Sequence, residues 1–226
     1  MTVGPPAVPE ARAIAERAHA AGIELSSPAA EALAAHARAV LLANDRLHLT
    51  AITQPAAFFE RHLGEAFEGA ALLPASINGV LLDLGSGNGY PGIPLAIARP
   101  GLLPVLADAS PKKAAFLREA LLAAGLSNGT VLEARVDRTV DLKQLPELTV
   151  LATRAMGGWE RIVPKLVSRI APGGFILIWA GGEAESIMAR ASWSHVRVEK
   201  SRILPGRERS RVYRLRVRPT SGQQFK

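Results

Sequence analysis

Three glycines at alternate positions, Gly85, Gly87 and Gly89, follow an acid, Asp83, that ends the apolar run Val80-Leu81-Leu82. This reads as a buried strand breaking into a tight turn, with a helix starting near Pro91. Glycine admits positive φ and lets a ligand approach the main chain closely. The N-terminus of the following helix offers unpaired N–H groups to a carboxylate or phosphate. A second acid, Asp108, closes a second apolar run (Leu102 to Ala107) about twenty residues on, where it can accept hydrogen bonds from two ribose hydroxyls. Turn and acid together point to a cofactor that contains a nucleoside. A glycine turn that binds nothing is disfavoured, because three glycines cost backbone entropy that a plain strand-to-helix link need not spend.

The dinucleotide fingerprint requires glycine at its first, third and sixth positions. Counted from Gly85, the sixth position is Tyr90, and the glycine arrives one residue early at Gly89. Nicotinamide binding therefore fits poorly. The pattern D-x-G-x-G-x-G, with Asp83 in front, instead resembles the first motif of class I S-adenosylmethionine (SAM) methyltransferases. Two kinds of methyl transfer are argued against by residues the chain lacks. Methylation at a pyrimidine C5 needs a cysteine nucleophile, and there is no cysteine. Enzymes acting on exocyclic amines carry Asn/Asp-Pro-Pro-Tyr/Phe after the fourth strand, where this chain reads Ala152-Thr153-Arg154-Ala155-Met156.

These residues need elements to hold them. From Val80 onward strands alternate with helices, the signature of a parallel sheet. Strands are expected at Val80–Leu84, Pro104–Asp108, Thr130–Arg135, Leu148–Thr153 and Phe175–Trp179. Helices are expected at Pro91–Ala98, Pro111–Ala124, Gly158–Ile170 and Gly182–Ala191. Two further strands, Val196–Leu204 and Ser210–Arg218, flank Pro205-Gly206. In the last, Tyr213, Leu215 and Val217 alternate with Arg214, Arg216 and Arg218, giving one apolar and one arginine-bearing face. Ahead of the sheet, helices are expected at Val8–Ala21, from the Ser26-Ser27-Pro28 start to about Ala43, and at Pro55–Leu73. The fold class is therefore α/β, a Rossmann-like sheet of seven mostly parallel strands (76–226) with an N-terminal helical extension (1–75). Asp83, Gly85, Asp108, Val136, Asp137 and Arg154 all fall at carboxyl ends of strands, where open sheets bind ligands.

Between the second and third helices, Asn44-Asp45-Arg46-Leu47-His48-Leu49-Thr50 gathers polar groups, and Arg61-His62 follows. Asn44 or Thr50 can cap a helix; equally, the cluster can contact substrate phosphate or base. The 226 residues carry a net charge of +7. Eleven Lys/Arg against Glu199 and Glu208 lie between Arg190 and Lys226, which leaves the rest of the chain near neutral. A basic end suits a polyanionic partner such as RNA, or simply a solvated strand. Without cysteine, disulfides and thiolate metal sites are excluded, and no metal is expected. No stretch reaches the roughly 18–20 apolar residues of a membrane span and no signal peptide is evident, so a cytoplasmic monomer is expected.

Over about 44–217 the chain resembles the bacterial RsmG (GidB) family, which methylates N7 of a guanosine in the 530 loop of 16S ribosomal RNA. The resemblance is most specific at Asp83-Leu-Gly-Ser-Gly-Asn-Gly-Tyr-Pro-Gly-Ile-Pro-Leu95. It extends to Asp108-Ala-Ser-Pro-Lys112-Lys113, Ala134-Arg135-Val136-Asp137, Thr153-Arg154-Ala155, the Asn44–Thr50 element and Arg61-His62. It implies that Asp83, Gly85, Gly87, Gly89, Tyr90, Val136, Asp137 and Arg154 contact SAM, with Asp108 on the ribose. Asn44, His48, Arg61, His62, Lys112 and Lys113 are the candidate substrate contacts, and Arg154 is the candidate catalytic residue, with an ion pair to Asp137 or Asp83 as its bland alternative. His48 stands where the family usually has Asn, Glu65 where Asp is common, and Trp179-Ala180-Gly181 where Leu-Lys-Gly is common. The expected substrate is 16S RNA or the small ribosomal subunit. The competing readings are a SAM enzyme acting on a small molecule or protein, and a non-catalytic RNA-binding protein on the same fold.

Overall fold

Strands that are apolar on both faces belong inside a sheet covered on both sides, and β1, Gly79–Leu84, is such a strand, buried from Leu81 to Leu84. The computed structural model describes residues 8–135, 145–154 and 156–218. Val136 and Asp137 lie outside the described residues, as does Ala155. β1 is followed by β2 (Leu102–Asp108), β3 (Thr130–Glu133), β4 (Leu148–Arg154), β5 (Ile170–Gly181), β6 (Val196–Leu204) and β7 (Arg207–Val217). Their order in the sheet is β3-β2-β1-β4-β5-β7-β6, with β1 to β5 parallel. The order reverses between β1 and β4, which opens a crevice at their carboxyl ends. β7 pairs antiparallel with β5, Ser210 opposite Gly181. The beginning of β7 therefore reaches the same end of the sheet as Asp83, Asp108 and Arg154.

The expected alternation is the observed one, with shifted edges. β5 begins at Ile170 and β7 at Arg207, each earlier than the sequence suggested, while the helix after β5 shrinks to Ala184–Met188. The expected arginine face of β7 is not a solvated one. Arg214 and Arg216 both donate to Glu199 at 2.9 Å and lie over the Phe175 ring, 4.9 and 4.6 Å from its centre. One acid on β6 thus occupies two of the cations that the alternating pattern had offered to a partner.

Ahead of the sheet come α1 (Ala11–Ala20), α2 (Ser27–Leu47), α3 (Pro55–Phe58), a π-helical stretch (Phe59–Gly64) and α4 (Glu65–Ala70). Ser26 caps α2 by accepting from the N–H of Ala29. This helix does not stop near Ala43; it continues to Leu47 and ends at His48, which adopts left-handed φ, 50°. The helices share one apolar core with the sheet: Ile14, Leu33, Phe58 and Phe67 belong to the same buried cluster as Leu81, Ile93, Leu177 and Val212. Buried Arg99, just after α5 (Gly92–Ala98), ties the two regions. It donates to the carbonyls of Ala70 (2.6 Å) and Leu73 (3.2 Å), satisfying the last carbonyls of the N-terminal helices.

Candidate active site

The glycine loop is clipped shut by the acid that precedes it. Asp83 is fully buried, and its Oδ2 accepts from Ser86 Oγ at 2.7 Å and from the Gly92 N–H at 2.9 Å, joining the end of β1 to the start of α5. A Cβ at position 92 would come 2.6 Å from that same oxygen, so only glycine fits. Gly89 has φ +88°, and its missing Cβ leaves room for the His36 ring. Burial pushes the Asp83 carboxyl up to about 6, against the opposing pull of its two donors and of Arg154. Its second oxygen, Oδ1, is buried and has no partner among the described residues.

Asp108 stands across the loop. Its Oδ2 accepts from the Gly87 N–H at 3.0 Å and its Oδ1 from the Ser110 N–H at 2.9 Å. It forms part of the rim of a cavity of about 340 Å³ whose walls are largely apolar, with Leu84, Ala107, Met156 and Ile162. Ser110 also caps the next helix, α6 (Pro111–Ala123).

A second, larger cavity of about 500 Å³ opens on the other side of the loop. One wall is a stack of rings. Tyr90 lies 4.7 Å from His62, nearly parallel, and 4.4 Å from His36. His36 is fully buried on α2 and holds the loop through Nε2 and the Asn88 carbonyl at 2.9 Å. Desolvation lowers it to about 4. Arg154, at the end of β4, donates to the Arg61 carbonyl at 2.5 Å and to His62 Nδ1 at 3.0 Å. A guanidinium can only donate, so His62 Nδ1 is the acceptor and Nε2 carries the proton. Nε2 then donates to Thr50 Oγ1 at 3.1 Å. Burial, reinforced by Arg154 and the neighbouring His36 and Arg61, pushes the His62 imidazole down to about 2 and keeps it neutral.

At the centre of that cavity is Glu65, 2% exposed. Its carboxylate lies 2.9 Å from Arg61 Nε, 3.5 Å from Arg154 and 3.5 Å from Arg207. Its carbonyl accepts from Trp179 Nε1 at 2.9 Å. The π-helical stretch carries Arg61 and His62 into this wall, one turn before Glu65; such widened turns recur at functional sites.

Of the residues singled out in the sequence, Asp83, Gly85, Gly87, Gly89, Tyr90, Asp108 and Arg154 converge around the loop, and Arg61 and His62 join the larger cavity. The other expected residues are placed as follows. Arg154 pairs with Glu65 and not with Asp83, because the π-helical stretch brings the Arg61 carbonyl and Glu65 to it; Asp137 lies outside the described residues. His62 is stacked and neutral, so it forms cavity wall and cannot grip phosphate as a cation. Asn44 belongs to the last turn of α2, where its Oδ1 accepts from the Thr50 N–H at 2.8 Å and closes the turn. His48 is the left-handed residue ending that helix and is not among the cavity's lining residues. Lys112 and Lys113 occupy the first turn of α6, outside both cavities. Arg207 and His36 are not among the residues the sequence offers, and Glu65 is offered only as a departure from the resembled family, with no role. Glu65 and His36 are lone polar residues on apolar helical faces, with no spacing signal. Arg207 follows the legible Pro205-Gly206 turn, and the antiparallel run of the last strand was the clue to its position.

The GidB family model, described as rRNA small subunit methyltransferase G, matches residues 29–210. A ribosomal RNA small subunit methyltransferase G from Sorangium cellulosum is 34% identical over 180 residues, 79% of this chain and 75% of that one. Its counterpart from Stenotrophomonas maltophilia is 39% identical over 138 residues, 61% of this chain and 62% of that one. Among solved structures, TrmN from Thermus thermophilus superposes with a TM-score of 0.54 at 21% identity, covering 67% of this chain and 48% of that one. A fibrillarin pre-rRNA processing protein from Methanococcus jannaschii gives 0.58 at 11% identity over 70% of this chain and 74% of that one. The two superpositions speak for the fold; the sequence matches go further, and by them the chain belongs to the rRNA small subunit methyltransferase G (GidB) family.

Proposed function

We propose that the protein methylates N7 of a guanosine in the 530 loop of 16S ribosomal RNA, with the cofactor's adenosine in the smaller cavity and the target base in the larger. As a member of its family the chain is a SAM-dependent rRNA methyltransferase. The observation that carries the two-cavity reading is Gly85, the one residue found in both linings among the described residues. A methyl donor and its acceptor have to meet across a boundary with no side chain in the way.

The residues present suit SAM. The smaller cavity offers apolar walls to a purine and the Asp108 carboxylate to a ribose diol. The buried, unpartnered Asp83 Oδ1 is an acceptor suited to an ammonium group. When bound, SAM supplies an electrophilic methyl group on a sulfonium. Guanine N7 carries an in-plane lone pair and needs no proton removed, so the chain's task is alignment and tolerance of the positive charge left on the base. The candidate groups agree with that task. His62 has its one free lone pair taken by Arg154, which makes it a rigid wall and no base. The helical region 1–75 contributes Leu49–Ile52, Arg61, His62 and Glu65 to this pocket, so we read it as an extension completing the sheet domain. We also infer a monomer that acts in the cytoplasm; no helix of the described residues is long and apolar enough to cross a membrane.

The deciding assay incubates the protein with labelled SAM and either naked 16S RNA or small subunits from a strain lacking the modification, followed by digestion to nucleosides. Label in N7-methylguanosine is the expected result. No label on either substrate, with SAM binding intact, would sink the proposal.

A further inference from the structure

Of the arginines on β7, Arg207 alone lines the larger cavity. Arg214 and Arg216 are taken by Glu199, Arg211 donates to Ser201, and Arg209 is exposed outside the cavity lining. Arg207 follows the Gly206 turn (φ +65°) at the start of the strand. Its Nη1 lies 3.5 Å from Glu65 Oε1, the oxygen that also stands 2.9 Å from Arg61 Nε. Two guanidinium groups are thus gathered on one carboxylate oxygen, from opposite ends of the chain. Both remain well exposed at the cavity mouth, 37% for Arg61 and 39% for Arg207. The third, Arg154, is 14% exposed and committed inward to His62 and the Arg61 carbonyl.

The charges at this mouth do not cancel. Three guanidinium groups face one carboxylate, and the two exposed ones lie close enough for one further anion to bridge them. A guanidinium fork matches phosphate oxygens two at a time. Glu65 would contribute by fixing both forks beforehand, so that less side-chain freedom is lost when the anion arrives.

We propose that Arg207, set beside Arg61 by Glu65, is a phosphate anchor for the backbone flanking the target nucleotide, with Glu65 as the positioning residue for both. This rests on the reading of the larger cavity as the target-base site. The anchor acts on substrate capture and leaves the smaller cavity untouched.

The test is steady-state methyl transfer to small-subunit RNA over a salt series, with SAM affinity measured calorimetrically on the same preparations. Arg207→Gln should raise KM for RNA about tenfold and lower the slope of log KM against log salt by about one, the loss of one phosphate contact. Its kcat at saturating RNA and its SAM affinity should stay within about twofold of wild type. Arg207→Lys should recover part of the loss, because it restores the charge but not the fork. Arg209→Gln is the charge-matched control two residues along the same strand, exposed and outside the cavity lining; it should move KM far less. Glu65→Gln, with SAM affinity retained, should raise KM in the same direction while wild-type salt slope is kept, since both cations remain. An Arg207→Gln enzyme with unchanged KM and salt slope, or one matched by Arg209→Gln, would overturn the anchor. Wild-type protein that binds SAM but labels no RNA would instead overturn the reading of the cavity itself.

Discussion

Arg154 Nη2 donates to His62 Nδ1 at 3.0 Å, and this contact decides which ring nitrogen carries the proton in the wall of the larger cavity. The arginine comes from the sheet and the histidine from the N-terminal helices, so the bond also joins the two regions.

Replacing Arg154 with Ala strands the His62 Nδ1 lone pair and the Arg61 carbonyl in a poorly solvated site and removes one of the three cations around Glu65. Removing one partner of a buried charge network typically costs about 3–5 kcal/mol. A loss of that order in denaturant unfolding is expected, with methyl transfer reduced at least about tenfold. Arg154→Lys should be nearly as damaging, because one ammonium cannot serve three acceptors in fork geometry. A stable, active Arg154→Lys enzyme would remove the network from the explanation.

Asp108→Ala should weaken SAM binding by roughly 10–100-fold, the worth of one or two hydrogen bonds to a charged acceptor. It also orphans the Gly87 and Ser110 N–H groups. Asp108→Asn keeps an acceptor for one of them and separates loop support from ribose binding. Calorimetric affinities close to wild type for both variants would refute the ribose assignment.

Asp83 gives the ligand-free protein a pH dependence of unusual sign for a carboxylate. Its folded value of about 6 exceeds the unfolded value of roughly 4. Between those limits the folded state holds the extra proton, so the Asp83 contribution to stability falls as pH rises from about 4 to about 6 and is level above. His36, lowered to about 4, acts oppositely: its contribution is present above about 6.5 and is lost as pH falls. The readout is therefore a difference, wild type minus Asp83→Asn, from urea unfolding at pH 4.5, 5.5, 6.5 and 7.5. The difference should drop by about 1–2 kcal/mol across the first three and stay flat after. A flat difference throughout would show that the buried carboxylate does not titrate there.

His48→Asn should leave methyl transfer and RNA KM unchanged and raise stability by no more than a few tenths of a kcal/mol. Asparagine suits left-handed φ through its short side chain, and that requirement explains why the family favours it at this helix end. A fall in RNA affinity without a change in melting temperature would return His48 to the substrate contacts.

The elements written in continuous runs were legible. The glycine turn, the two acids closing β1 and β2, the Ser26 and Ser110 caps and all seven strands follow from local composition, since burial on both faces and capping leave marks within a few residues. The interior of the larger cavity was not legible in this way. Glu65 gains its meaning from Arg61, Arg154 and Arg207, which are distant in the chain or brought round by a π-helical turn with no pattern of its own. The end of α2 was placed too early because Asn44 and Asp45 read as turn residues. In the structure Asn44 accepts from Thr50 beyond the helix, so a turn-forming side chain completes the helix end from inside.

The place of β7 bears on the order in which the site can be built during synthesis. β6 leaves the ribosome before β7, yet in the finished sheet its one strand neighbour is β7. Until residues 207–217 emerge, β6 has no strand to pair with, β5 shows an open edge of the kind that invites wrong pairing, and the larger cavity lacks Arg207. The glycine loop, its Asp83 clip and Asp108 are all synthesised well before then, so the residues of the smaller cavity's acid and turn are in place before Arg207 exists.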